Sequence, residues 1–135
     1  QYTTFTLVRI KKMENHSQFL PDQKARKSLA KKLKLKFDES MQDWEYEIAD
    51  SNRIAEFIEE YDKPETTDKE KESLMEMIID STNDIFDEAS TLEIEKFLLL
   101  INERLIKSID LHKGTLNYWK SNDFEISKKL VYVEI

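Results

Sequence analysis

Cysteine is absent from this chain of 135 residues, glycine occurs once, proline twice and histidine twice. Without cysteine there is no disulfide scaffold, no thiolate zinc site and no cysteine nucleophile. One glycine cannot build a Walker loop or a dinucleotide-binding turn, so the common phosphate- and nicotinamide-binding motifs are missing. No apolar run approaches the roughly 20 residues of a membrane span, and the first residues lack the basic-then-apolar order of a signal peptide. These absences fit a reducing, cytoplasmic setting without membrane association. No motif carries chemistry with any specificity.

What the chain has is charge. Charged residues make up 36% and apolar residues 39%, and the formal net charge is −7. That composition belongs to charged helical proteins rather than to turn-rich sandwiches or barrels. The length is that of one domain, residues 1–135, able to bury roughly two-thirds of its unfolded surface. The charge is uneven. Residues 1–37 hold ten Lys or Arg against two acids, whereas residues 38–95 hold twenty-one acids against four bases, a net −17.

Residues 90–120 read as one long amphipathic helix against which the rest packs. Ile94, Phe97, Leu98, Ile101, Leu105, Ile109, His112, Leu116 and Trp119 recur at steps of three and four, which stacks side chains on one helix face. Ser90 and Glu93 form a capping box at its start. Gly114 costs roughly 1 kcal/mol against alanine, but the stripe resumes in register at Leu116, which points to continuity.

Before that helix the pattern alternates between types. Residues 2–10, rich in threonine, aromatic and β-branched residues, read as a strand. Pro21 and Asp22 suit the first turn of a helix whose narrow apolar line is Ala25, Leu29 and Leu33. At Leu33 the period drops to two: Leu33, Leu35 and Phe37 alternate with Lys34 and Lys36, then Trp44, Tyr46 and Ile48 with Glu45 and Glu47. Residues 43–48 are therefore expected as a second strand, although Ser40 or Asp43 capping a helix is an alternative. Asp50 reads as the N-cap of a helix through Tyr61 that turns Ile54, Phe57, Ile58 and Tyr61 inward. Thr67 and Glu70 open a further helix to about Glu88, with Leu74, Met77 or Ile78, Ser81, Ile85 and Phe86 inward. Residues 130–135 read as a third strand. The expected architecture is thus a helix-dominated α+β domain of about four helices, with a small antiparallel sheet from N-terminal, central and C-terminal strands.

Catalytic and metal-binding readings are weak. His112 shares a helix face with Ser108, but a nucleophile–base pair also needs an orienting carboxylate and an oxyanion site. A hydrolase-like site around His112 is the remotest alternative. Asp80, Asp84 and Asp87 follow at helical spacing near Glu95, Glu103 and Asp110, yet neither Glu-x-x-His nor a calcium-loop pattern accompanies them. No catalytic residue, metal or cofactor is assigned.

Two binding readings remain. Lys24, Arg26, Lys27, Lys31, Lys32 and Lys34 form a cluster able to neutralise backbone phosphates, but a single arginine and no interleaved aromatics give little support to base readout or stacking. The acidic middle, by contrast, carries aromatic residues among its acids. Trp44, Tyr46, Tyr61 and Tyr118, with Glu45, Glu47, Glu59 and Glu60, are the candidate contacts to a basic protein. That charge pattern is the one expected of small intracellular inhibitors, such as immunity proteins that block nuclease toxins. The leading expectation is a non-enzymatic, acidic interaction protein, inhibitory or regulatory, with a basic partner; nucleic-acid association through the basic helix is the alternative.

Overall fold

A computed structural model of the chain describes residues 18–131. Its centre is a run of six residues, Leu74, Met75, Glu76, Met77, Ile78 and Ile79, all fully buried. A helix apolar around its whole circumference must be enclosed on every side. These residues lie in α4, Asp68–Asn83, which packs against every other helix of the described residues. Its start is the expected capping box: Thr67 accepts from the Glu70 amide and the Glu70 carboxylate from the Thr67 amide.

Around α4 stand α1 (Gln23–Leu33), α2 (Trp44–Glu47), α3 (Ile54–Tyr61), α5 (Thr91–Lys107), α6 (Lys113–Ser121) and a 3-10 turn, Ile126–Lys129. The Asp22 side chain caps α1 by accepting from the Ala25 amide. The other end of α1 closes on Lys34, held in the left-handed region at φ 57°, where the amides of Lys34 and Leu35 both reach the Ala30 carbonyl. Helix α3 buries Ile54, Phe57, Ile58 and Tyr61 as the spacing predicts. Asp50 does not cap it; its carboxylate instead takes the Asn52 amide in a turn just before the helix.

Three expectations need correction. The described residues form helices only, with no strand and no sheet, so the α+β class is replaced by an all-helical one. Residues 43–48 hold the single helical turn α2, with Asp43 in the N-cap position but no side chain making the cap hydrogen bond. Alternation there does not separate inside from outside, because Glu45 is as deeply buried as Trp44. Residues 34–38 do run free of helix, with Leu35 and Phe37 packed on the core and Lys34 and Lys36 exposed, yet no second strand lies beside them. At the C-terminal end the backbone of Lys129 and Val131 bonds to one side chain: the Asn102 amide donates to the Lys129 carbonyl and accepts from the Val131 amide. That amide supplies the pair of bonds a neighbouring strand would otherwise make. The strand expected at residues 2–10, and the last four residues of the one expected at 130–135, lie outside the described residues.

The long helix is also broken. Residues 108–112 form turns between α5 and α6, so residues 90–120 are two helices and not one rod. A straight helix of that length would measure about 46 Å, well beyond the roughly 30 Å of a small domain, and its ends would have no cover. Most of the inward face is nevertheless as expected: Ile94, Leu98, Ile101, Leu105, His112, Leu116 and Trp119 are buried, and Phe97 and Ile109 are half-buried against the core. Ser90 caps α5 by accepting from the Glu93 amide. Gly114 is not the break. It sits near the start of α6 where the chain at Gln18 and Phe19 crosses, and an added Cβ would fall 2.2 Å from the Gln18 carbonyl carbon.

Candidate protein-interaction surface

Two tyrosines seventy-two positions apart come together on one face. Tyr46 from α2 and Tyr118 from α6 stack with centroids 6.0 Å apart and planes 24° from parallel. Behind them Trp119 meets both edge-on and packs on Phe124 at 4.7 Å. Tyr118 is 41% exposed, whereas Trp119 is buried. The stack therefore presents one ring to solvent on a rigid aromatic base.

Beneath it lies a buried acid. Glu76 Oε1 accepts from the Tyr46 hydroxyl and, at 3.3 Å, from Trp119 Nε1, while Oε2 is buried with no hydrogen-bond partner among the described residues. An orphaned buried oxygen costs about 1–3 kcal/mol. Burial raises the Glu76 carboxyl above the usual range, although Tyr46, Thr115 and Trp119 beside it pull the other way. Burial, with Asp84 and Glu76 adding repulsion, pushes Asp80 up to about 6 one turn further along α4. Burial and the charges of Glu76, Asp80 and Asp43 raise the Tyr118 hydroxyl.

A cavity of about 320 Å³ opens beside the stack, lined by Phe19, Arg26, Gln42, Asp43, Glu45, Tyr46, Glu76, Asn117 and Tyr118 among others. The Arg26 guanidinium in its wall is fully engaged. Its five N–H groups go to both oxygens of Glu45 (3.0 and 2.7 Å), to Gln23 and to the carbonyls of Met41 and Gln42. Glu45 also accepts from Ser73. Arg26 and Glu45 thus tie α1 to α2 inside the protein, and neither is a surface contact for polyanion or partner.

The other candidates separate. Trp44 is buried, edge-on to Phe37, and donates to the Lys36 carbonyl. Glu47 and Glu59 are exposed. Glu60 is buried; one oxygen pairs with Lys63 and the other has no partner among the described residues. Tyr61 is buried with its hydroxyl 2.7 Å from His112 Nε2. It borders a different cavity, of about 290 Å³, with Ser108, Lys71 and the Asp62–Arg104 ion pair. His112 itself is fully buried, and burial together with Lys71 lowers its imidazole to about 4, so the ring is a neutral core group. In the basic cluster Lys27 pairs with Glu39 and Lys32 with Glu70, leaving Lys24, Lys31 and Lys34 exposed without an ion pair among the described residues.

Sequence reasoning reached Tyr46 and Tyr118 but passed over Glu76, the acid they stand on. A signal existed: Glu76 is the only charged residue in 73–79, an otherwise uninterrupted core run. Such a residue is enclosed whichever way the helix faces. No protein-family model matches the chain, and neither a curated protein nor a solved structure gives a significant match to it.

Proposed function

We propose that this chain is a small non-enzymatic interaction protein, inhibitory or regulatory, that binds a basic protein partner through the face carrying Tyr46 and Tyr118. The observation that carries the reading is the Tyr46–Tyr118 stack, assembled from distant elements and set among Asp43, Glu76 and Asp80. A rigid, part-exposed aromatic with acids around it is the kind of group that concentrates binding energy in an interface. Exposed Glu47 on the same short helix, and the net −17 of residues 38–95, extend the field that steers a basic partner inward. The basic helix supports a polyanion contact less well, since Arg26 is enclosed and Lys27 and Lys32 are paired.

Capture from native-host lysate tests the reading, with the wild-type chain beside a Tyr118→Ala, Asp43→Lys double variant. The expected result is a basic protein enriched by the wild type and lost with the double variant. Recovery of no basic protein, or equal recovery by both chains, overturns it, as would salt-sensitive retention on a polyanion resin abolished by charge reversal at Lys31.

A further inference from the structure

We infer that the cavity beside the tyrosine stack receives one cationic side chain, an arginine or a lysine, inserted by the partner with its charge against Glu76. This inference rests on the interaction reading above and specifies what that face recognises. The cavity, about 320 Å³, lies at the small end of ligand sites, the size for one side chain rather than a nucleotide or large cofactor. Glu76 lines it, is fully buried, and has an oxygen, Oε2, without a hydrogen-bond partner among the described residues. A donor entering from outside would complete it. Tyr46 and Tyr118 both line it, and aromatic rings attract ammonium and guanidinium groups alike.

The charge balance inside the cavity favours a cation as well. Among the described residues Arg26 is the one base in the lining, and Glu45 neutralises it through two hydrogen bonds, so the Asp43 carboxylate and the Glu76 carboxyl have no other cation beside them there. An anionic guest would find no donor on Arg26 to use, because all five are committed. An uncharged apolar guest would leave Glu76 Oε2 as it is.

Nuclear magnetic resonance titration of the full chain with Nα-acetyl-arginine methylamide, Nα-acetyl-lysine methylamide and the uncharged Nα-acetyl-norleucine methylamide tests the inference. At least one cationic amide is expected to shift the Trp119 indole and the Tyr118 and Asn117 amides saturably, with a Kd on the order of millimolar, and the norleucine amide is not. Glu76→Gln, which keeps shape and can still accept from Tyr46 and Trp119, should weaken binding at least about tenfold, the worth of a charge-assisted contact. Should that variant fail to fold, Tyr118→Ala at the exposed wall is expected to weaken binding as well. Absence of saturation up to about 100 mM of either cation, equal shifts with norleucine, or affinity indifferent to the variants overturns the inference. A basic partner captured normally by Glu76→Gln would overturn the inserted side chain and leave the interaction reading in place. Cation binding without any captured partner would overturn the interaction reading and the inserted side chain with it, leaving a cavity that takes free cations only.

Discussion

Arg26 uses every donor its side chain has, two of them on Glu45, while Glu45 also accepts from Ser73. Removing one member of such a pair leaves the other charged and dry, which is far more costly than never having had the pair. Arg26→Ala is expected to lower stability by about 3–5 kcal/mol in denaturant titrations, and Arg26→Met combined with Glu45→Leu to recover most of it. His112 gives a pH signature of the opposite kind. Its folded value, about 4, lies below the 6.5 of an exposed imidazole, so between those values the unfolded chain binds the extra proton. The His112 contribution is complete above about pH 6.5 and is lost as pH falls toward 4. Melting temperature should drop through that window, and His112 ring resonances should show no titration until the pH nears 4; an imidazole titrating near 6.5 in the native state would contradict its enclosure.

Among the elements, α6 depends on a missing side chain. The Gly114 Cα faces the backbone at Gln18 and Phe19, and a methyl there would overlap both residues. Alanine is the better helix former by about 1 kcal/mol, yet overpacking against backbone costs about 1–3 kcal/mol. Gly114→Ala should therefore destabilise the protein, seen as a lower denaturant midpoint; a higher midpoint would mean that the crossing chain is free to move aside. The same close approach brings Phe19 to the cavity beside Tyr118.

At the scale of the whole molecule, the order of dominance is the reverse of what hydrophobic periodicity suggests. The cleanest amphipathic stripe, residues 90–120, lies at the edge of the core as two helices, whereas the central element is α4, whose pattern has no single face. Centrality erases the moment that periodicity detects, because an enclosed helix is apolar on all sides. Enclosure of α4 also places Glu76 under the tyrosine stack, so the same packing that builds the core leaves an acid at the floor of the candidate site. Basic and acidic segments meet in part: Arg26–Glu45, Lys27–Glu39 and Lys32–Glu70 pair the N-terminal bases with the acidic middle. Asp43, Glu47, Glu59 and the acids late in α4 stay outside those pairs.

What the sequence determined by itself is local. The caps at Asp22, Thr67 and Ser90, and the inward faces of α3 and of residues 90–120, follow from hydrogen bonds and side-chain directions set within a few residues. What only tertiary structure decided depends on partners far along the chain. A two-residue rhythm at 43–48 makes a strand only if another strand lies beside it, and here the place opposite Glu45 is taken by Arg26. A stripe eight turns long stays one helix only if the domain is long enough to cover it, and α4 is not. The Tyr46–Tyr118 stack and the orphaned oxygen of Glu76 exist because α2, α4 and α6 meet, a juxtaposition that no spacing within any one of them encodes.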